Sequence, residues 1–201
     1  MPVYDDIPIW LDNTCAPSVN KLFSKLSKGN DVRYLGTHLP KGTNWLLSKI
    51  YHNKKRTLTD TEKYLQLGDA IFYELTGKYN THFSSQVSMV HNIKCCYSKE
   101  AIALCGAKQI HFPAIDNHHC FPTDRSLELA GYLPENTFVL PSLADFYASF
   151  IGINPLADEG FIFANTSEIA GKVVSSRVRS GKFVTVATTD NIKILYGSTN
   201  T

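Results

Sequence analysis

Apolar residues recur at helical spacing in the first half of the chain and at strand-like spacing near its end. After Thr14 they return at every third or fourth position until Gly29, which predicts a first helix. Thr59, with Glu62 three residues later, is typical of a capping box and predicts a longer helix that ends at Gly77. Two shorter helices are predicted at residues 45–51 and 83–90.

Strand-like segments predominate after residue 108, although one short strand is also predicted at residues 32–35. Candidate strands lie at 108–115, 136–140, 172–178, 182–188 and 192–196, and Ser180-Gly181 and Asp190-Asn191 are turn sequences between the last three. Helices first and strands later indicate an α+β fold, with a helical N-terminal part and a β-rich C-terminal part. We expect a mainly helical region at 1–82 and a catalytic α+β region at 83–201, or one continuous domain.

The composition is that of an ordinary globular protein. The chain has 201 residues, of which 43% are hydrophobic and 19% charged, too apolar for a disordered chain. The first ten residues lack the basic and then apolar profile of a signal peptide, and no run of about 18 apolar residues exists. We therefore expect a cytoplasmic protein with no membrane partner. The net charge of +2 permits a nucleic-acid partner without indicating one.

Cysteine and histidine are concentrated in the central part of the chain. The five cysteines are an odd number and poorly matched to a disulfide framework. The stretch holds several soft ligands, namely Cys95, Cys96, Cys105, His111, His118, His119 and Cys120. Such a set could form a structural zinc site, but no CxxC pair is present, and buried thiols without a metal are the alternative.

Four residues of this region would be brought together by a strand, loop, strand and helix. His118 and His119 come first and Pro122 follows, then a polar loop leads to Asn136, and a predicted helix contains Asp145. The unit would form a compact hairpin plus helix, and would bring the two histidines, the asparagine and the aspartate towards one another.

This arrangement resembles the HNH, or ββα-metal, nuclease motif over about residues 83–165. The resemblance implies a ββα-metal-like central unit and a divalent-metal-dependent endonuclease that hydrolyses phosphodiester bonds of nucleic acid, DNA more than RNA. His119 would be the general base and Asn136 would orient it, while His118 and Asp145 would bind the metal. A mixed histidine and carboxylate site suits Mg, Mn or Zn.

A cysteine-dependent hydrolase is a first alternative. Cys15 lies at the predicted start of a helix, where the helix dipole lowers the pKa of a thiol. His111 and Asp124 follow in the chain order of papain-type hydrolases.

Two further alternatives use other residues. The order of Arg33, Ser84, Ser85 and Glu135 resembles that of ADP-ribosyltransferases of the Arg-Ser-Glu type. A non-enzymatic module that binds nucleic acid or protein is the other. Its phosphate contacts would come from two basic clusters: Lys54, Lys55 and Arg56, and Arg177, Arg179 and Lys182.

Overall fold

A computed structural model of the chain describes residues 12–27, 29–164, 168–176, 184–187 and 193–198. The helices in these ranges are α1 (Ala16–Leu26), α2 (Asn30–Leu35), α3 (Leu46–His52), α4 (Leu67–Thr76), α5 (Lys99–Leu104), α6 (Glu128–Gly131) and α7 (Asp145–Ile153). The strands are β1 (Asn80–Thr81), β2 (Val90–His91), β3 (Cys96–Tyr97), β4 (Ala114–Ile115), β5 (Phe121–Pro122), β6 (Phe138–Val139), β7 (Gly160–Ala164), β8 (Glu168–Val174), β9 (Val184–Ala187) and β10 (Lys193–Ser198). Two 3₁₀ turns lie at Phe83–Gln86 and Gln109–His111.

The helices predicted from periodicity at the start of the chain are confirmed. α1 buries Val19, Leu22 and Leu26, the positions at three- and four-residue spacing. α3 occupies the segment predicted at 45–51. Gly77 ends α4 with a φ of 67°, a left-handed conformation that costs glycine little because it has no Cβ.

The helix predicted to open at Thr59 begins later than expected. The capping contact itself forms, since the Thr59 N–H donates to Glu62 Oε2 over 2.6 Å. The N–H of Tyr64, however, donates to the carbonyl of His111 over 2.7 Å, so it is not available to a helix there. α4 therefore starts only after Gln66.

The strand predicted at 32–35 is wrong, because that segment forms α2. Gly29 and Gly36 flank it with φ of 82° and 73°, and the Gly36 N–H donates to the Val32 carbonyl over 3.0 Å. A Cβ at Gly36 would lie 2.5 Å from the His91 ring, so this helix end is fixed by a contact distant in sequence. Two other predictions are met only in part. The helix predicted at 83–90 is a 3₁₀ turn over Phe83–Gln86, and the strand predicted at 108–115 is extended only at its end, in β4.

The C-terminal strands form an antiparallel sheet in the order β7-β8-β10-β9. Strands β9 and β10 confirm the predictions for their segments. β8 begins four residues before the strand predicted at 172–178 and ends at Val174, and β7 was not predicted. The two predicted turn sequences, at residues 180–181 and 190–191, lie outside the described residues. Phe161 pairs with Gly171, and a Cβ at Gly171 would lie 2.4 Å from the Phe161 ring. Glycine at this position therefore leaves room for the Phe161 ring.

α7 joins the sheet to the helical part through aromatic packing. The Phe146 ring lies 5.5 Å from that of Phe163 and 4.9 Å from that of Tyr196, and the Phe150 ring lies 5.4 Å from that of Phe161. One buried cluster extends from α1 to β10. The mixture of helices and strands confirms the coarse α+β prediction, while the division at residue 82 stays a prediction. Within the described ranges, the helices are too short or too polar to cross a membrane.

Candidate functional site

The 3₁₀ turn Phe83–Gln86 contacts both the start of α4 and the segment that leads into α7. Two of its polar side chains are buried, with Ser84 1% and Gln86 0% exposed, and Ser85 is partly buried. Buried polar groups are costly unless they are hydrogen-bonded, so a cluster of them indicates a specific network.

Ser84 connects His82 to the start of α7. The Ala144 N–H donates to Ser84 Oγ over 3.1 Å, and Ser84 Oγ lies 2.8 Å from His82 Nδ1. The Ser84 N–H also donates to His82 Nδ1, over 3.2 Å. Because Nδ1 accepts this N–H, we assign the ring proton to Nε2, and the Ser84 hydroxyl then donates to Nδ1 while it accepts from Ala144.

His82 is held in its neutral form by its surroundings. Burial, together with a smaller electrostatic contribution from His118, lowers the pKa of His82 to about 4. The ring lies against aromatic neighbours, 4.7 Å from the Phe83 ring and 6.3 Å from the Tyr147 ring. A neutral His82 is the form that the Ser84 hydrogen bonds require.

A second polar cluster supports the other side of the turn. Asp69 Oδ2 accepts the Gln66 N–H over 3.1 Å and a Gln86 Nε2 hydrogen over 2.8 Å. Burial raises the pKa of Asp69 to about 6, and the hydrogen bonds it accepts offset part of that effect. Asp69 Oδ1 and Gln86 Oε1 have no hydrogen-bond partner in the described part of the chain.

The segment before α7 is also docked on α4. Ser85 Oγ donates to the Ser142 carbonyl, and the Ser142 side chain lies directly over Gly68. A Cβ at Gly68 would lie 2.0 Å from Ser142 Oγ, so glycine at this position permits the close approach. The backbone at 142–144 is thus fixed from two sides.

Asp145 follows this fixed segment as the first residue of α7. Its side chain is exposed, and its Oδ1 accepts the N–H of Phe146 over 2.7 Å. Tyr147, two residues further on, is buried against Phe83 with ring centroids 5.4 Å apart. The arrangement presents an exposed carboxylate on a support that is buried and hydrogen-bonded.

The residues of the HNH-like interpretation do not assemble as predicted. β5 and β6 pair and α7 follows, but the His119 ring lies 3.0 Å from Asp116 and is 76% exposed. The N–H of His118 donates to the same carboxylate over 3.1 Å. Asn136 has a φ of 63° and is an exposed turn residue. In the described part of the chain no group of three or more His, Cys, Asp and Glu side chains could hold a metal ion, which corrects both the metal-binding unit and the structural zinc.

The three cysteine-hydrolase residues each contact other groups of the chain. Cys15 is 1% exposed, and its thiol contacts the Thr43 carbonyl over 3.4 Å. Burial raises the pKa of Cys15, the opposite of what a nucleophile needs. His111 is buried and accepts the Lys108 N–H at Nδ1, whereas Asp124 is exposed and accepts from Ser126.

Two residues of the first basic cluster contact other side chains of this chain. Lys54 lies over the Tyr51 ring at 4.2 Å, and Arg56 pairs with Glu62 over 2.8 Å, while Lys55 is exposed. The second cluster, at residues 177, 179 and 182, lies outside the described residues.

The fold of the chain is similar to that of part of several sugar kinases of known structure. It superimposes on gluconate kinase from Lactobacillus acidophilus with a TM-score of 0.78 and 17% identity, over 94% of this chain and 40% of that one. Xylulose kinase from the same organism superimposes with a TM-score of 0.77 and 17% identity, over 94% of this chain and 40% of that one. Plasmodium falciparum glycerol kinase, solved with ADP, superimposes with a TM-score of 0.79 and 16% identity, over 98% of this chain and 42% of that one. No protein-family model matches the chain, and no curated protein matches it either.

This likeness overturns the predicted chemistry. The predictions of an HNH nuclease motif, a phosphodiester hydrolase and a nucleic-acid partner are wrong, because nearly the whole chain superimposes on part of sugar kinases and not on a nuclease. The expectation of a cysteine hydrolase or a nucleic-acid-binding module falls with them. At these identities the likeness establishes the fold alone. The chain spans about 40% of the length of the kinases it matches.

Sequence reasoning missed most of the supporting residues. The sequence pattern singles out Ser84 only for its place in an Arg-Ser-Glu order, and it does not single out His82, Asp69 or Gln86. The available signal was a capping pair, since Gln66 is followed three residues later by Asp69. That signal indicates a helix start and says nothing about the contact with Gln86.

Proposed function

We propose that this chain takes part in transferring a phosphoryl group from a nucleoside triphosphate to a hydroxyl group of a sugar or polyol. The observation that carries the proposal is the fold shared with kinases named for xylulose, gluconate and glycerol, over 94–98% of the chain. These three compounds differ in length and charge, but each is a small molecule with several hydroxyl groups. A hydroxyl acceptor is therefore the part of the chemistry that the likeness supports best.

Asp145 is the side chain to which we assign proton removal. Phosphoryl transfer depends mainly on positioning and charge stabilisation, together with a carboxylate that orients the attacking hydroxyl. Asp145 is exposed on a backbone that Ser84 and Ser85 hold in place. In the step, the hydroxyl oxygen bonds to the γ-phosphorus, its proton passes to the Asp145 carboxylate, and the nucleoside diphosphate leaves with the electrons of the broken P–O bond.

A divalent ion is compatible with the described site. An ion that accompanies a nucleotide is held largely by phosphate oxygens and water, with one or two carboxylates. Asp145 is an exposed carboxylate and fits that requirement, whereas a structural zinc needs four ligands that the described residues do not assemble. When bound, such an ion would neutralise charge on the transferring phosphoryl group.

The experiment pairs an activity assay with a binding assay. The purified chain is given Mg-ATP with xylulose, gluconate or glycerol, and ADP release is followed. Binding of each polyol alone is measured by calorimetry. We expect Asp145→Asn to lower kcat on the order of 10²–10⁴-fold, because it removes the proton acceptor, while polyol binding and the unfolding midpoint change little.

Asp158→Asn is the matched control. Asp158 is exposed, pairs with Lys172 on the surface over 3.2 Å, and has a φ of 67° that asparagine also adopts readily. We expect this variant to keep wild-type activity. If the chain neither binds nor phosphorylates any of the three polyols, the proposed function is wrong. If Asp145→Asn phosphorylates as fast as wild type, the kinase assignment stands and the role of Asp145 does not.

A further inference from the structure

Asp69 and Gln86 each leave one side-chain oxygen without a hydrogen-bond partner in the described ranges. Both side chains are buried, with Asp69 1% and Gln86 0% exposed. They contact each other directly, because Gln86 Nε2 donates to Asp69 Oδ2 over 2.8 Å. A buried acceptor without a donor is costly, so two such oxygens on one bonded pair call for a common donor.

The donors already present near this pair are directed at other atoms. The Gln66 N–H donates to Asp69 Oδ2 over 3.1 Å. The second hydrogen of Gln86 Nε2 is directed at Thr81 Oγ1, 3.4 Å away. The Thr81 hydroxyl in turn donates to the His82 carbonyl over 3.3 Å. Asp69 Oδ1 and Gln86 Oε1 receive none of these hydrogens.

The carboxyl group itself can supply the donor if it is neutral. An ionised carboxylate only accepts hydrogen bonds, whereas a carboxylic acid carries one O–H donor. A carboxylic acid and a primary amide are both planar, and they can form two parallel hydrogen bonds: N–H to one carboxyl oxygen and O–H to the amide oxygen. The first of these is the bond between Gln86 Nε2 and Asp69 Oδ2. The second would join the two oxygens that lack a partner.

We propose that Asp69 binds a proton as a pH-sensitive lock on the turn Phe83–Gln86, in which its neutral carboxyl group donates from Oδ1 to Gln86 Oε1. When the proton leaves to water, both oxygens are acceptors and this hydrogen bond is lost. The turn also holds the backbone before α7 through Ser84 and Ser85, so that segment should be held more firmly at low pH. No bond between heavy atoms forms or breaks.

Burial of Asp69 favours the neutral form. It is the main cause that raises the pKa of this carboxyl to about 6, and hydrogen bonds lower the pKa only in part, from Thr81, Gln66 and Gln86. The largest of these three contributions comes from Thr81. Its hydroxyl is therefore the competing donor to the carboxyl, and the experiment has to separate it from Gln86.

Within the part of the chain that the structure describes, burial and hydrogen bonds set the pKa of Asp69, and neighbouring charges do not. Tyr97 on β3 interacts with Asp69, but burial raises the pKa of the Tyr97 hydroxyl, so this group stays uncharged near neutral pH. His82, which follows β1, is held neutral by burial. Asp124, and Glu128 on α6, lie near the other end of α4 and are exposed.

Infrared spectroscopy of the folded chain, labelled with ¹³C at the aspartate carboxyl carbon, tests the hydrogen bond directly. At pH 5 we expect a band of a neutral carboxyl group that is absent from Asp69→Asn. Gln86→Met removes the amide at similar side-chain size and should move this band to higher frequency, because the carboxyl loses both hydrogen bonds. Thr81→Val is the matched control and should leave the band in place. The proposal is overturned if wild type has no such band, or if the shift in Gln86→Met does not exceed that in Thr81→Val.

Amide hydrogen exchange measures the effect on the turn, with the Ala144 N–H that donates to Ser84 Oγ as the reporter. The ratio of its protection factors, wild type to Asp69→Asn, should fall by up to about tenfold for each pH unit between about pH 4 and 6. Asparagine does not ionise, and it offers an N–H to Gln86 in place of the proton. His82 titrates in both proteins, so its effect cancels in the ratio.

Asp124→Asn is the control for this second measurement. Asp124 is exposed, so the variant should follow wild type at every pH. A ratio of wild type to Asp69→Asn that does not change with pH overturns the proposal, and this comparison does not require Gln86→Met to fold. Far-ultraviolet circular dichroism shows which variants are folded. Because neither readout is phosphorylation, the result does not depend on the function proposed above.

Discussion

Asp69 and His82 support the same 3₁₀ turn, and their titrations should act on stability in opposite directions. The folded state raises the pKa of Asp69 from 3.8 to about 6, because burial disfavours the charged carboxylate. It lowers the pKa of His82 from 6.5 to about 4, because burial disfavours the charged imidazole. Both groups therefore favour their neutral forms in the folded protein.

The sizes of the two effects follow from about 1.4 kcal/mol for each unit of pKa. For Asp69 the folded state binds the proton more tightly than the unfolded state does. Its contribution to the free energy of unfolding is therefore greatest at low pH, and about 3 kcal/mol of it is lost as the pH rises from about 4 to 6 and beyond. For His82 the unfolded state binds the proton more tightly. Its contribution is complete above pH 6.5, and about 3 kcal/mol is lost as the pH falls towards 4. In the wild type the two slopes largely cancel.

Replacing one group at a time should reveal the slope of the other. Urea unfolding, followed by circular dichroism from pH 4 to 7, gives the free energy of unfolding of each variant relative to wild type. Asp69→Asn should gain about 2 kcal/mol on wild type between pH 4 and 6, because it no longer bears the cost of a buried charge. His82→Asn keeps an acceptor for Ser84. Its free energy of unfolding should rise relative to that of wild type as the pH falls from 6.5 to 4. Parallel curves for wild type and both variants would refute the reasoning.

The other two predictions concern the support of Asp145. Gly68→Ala should lower the free energy of unfolding by about 1–3 kcal/mol, because its Cβ would displace Ser142. Gly152→Ala should instead raise it by about 0.5–1 kcal/mol, because a Cβ there meets nothing within 4 Å and alanine favours the helix. Thermal unfolding measures both, and equal midpoints for the two variants would contradict the packing argument. Ser84→Ala should lower the free energy of unfolding by about 1–3 kcal/mol, because it removes the acceptor of the Ala144 N–H. Ser84→Thr keeps a hydroxyl and should restore most of that loss in the same assay. Equal stability of the two variants would count against the hydrogen bond.

Local pattern was sufficient for the elements whose ends are set locally. α1 and the end of α4 follow from apolar spacing and from a glycine that accepts a positive φ. The last strands follow from their β-branched and apolar residues between turn sequences. α2 could not be predicted in this way, because its end depends on the packing of Gly36 against His91.

The site could not be predicted because its members become neighbours only through the fold. Ser84 and Ala144 are 60 residues apart, and Ser85 and Ser142 are 57 apart. No periodicity within a window of ten or twenty residues carries information about such pairs. The HNH-like pattern predicts Asp145 as a metal ligand, which differs from the role proposed above, and the histidines of that pattern contact Asp116 instead.

The hydrogen bond between Ala144 and Ser84 also bears on the order of folding. It closes a loop of 60 residues, and the chain loses the entropy of that closure before the bond can form. We expect this contact to form after the folding transition state, because a single hydrogen bond offsets little of that entropy. Ser84→Ala should then accelerate unfolding while leaving the refolding rate nearly unchanged. The lifetime of the native state, more than the speed of reaching it, would depend on this one hydroxyl.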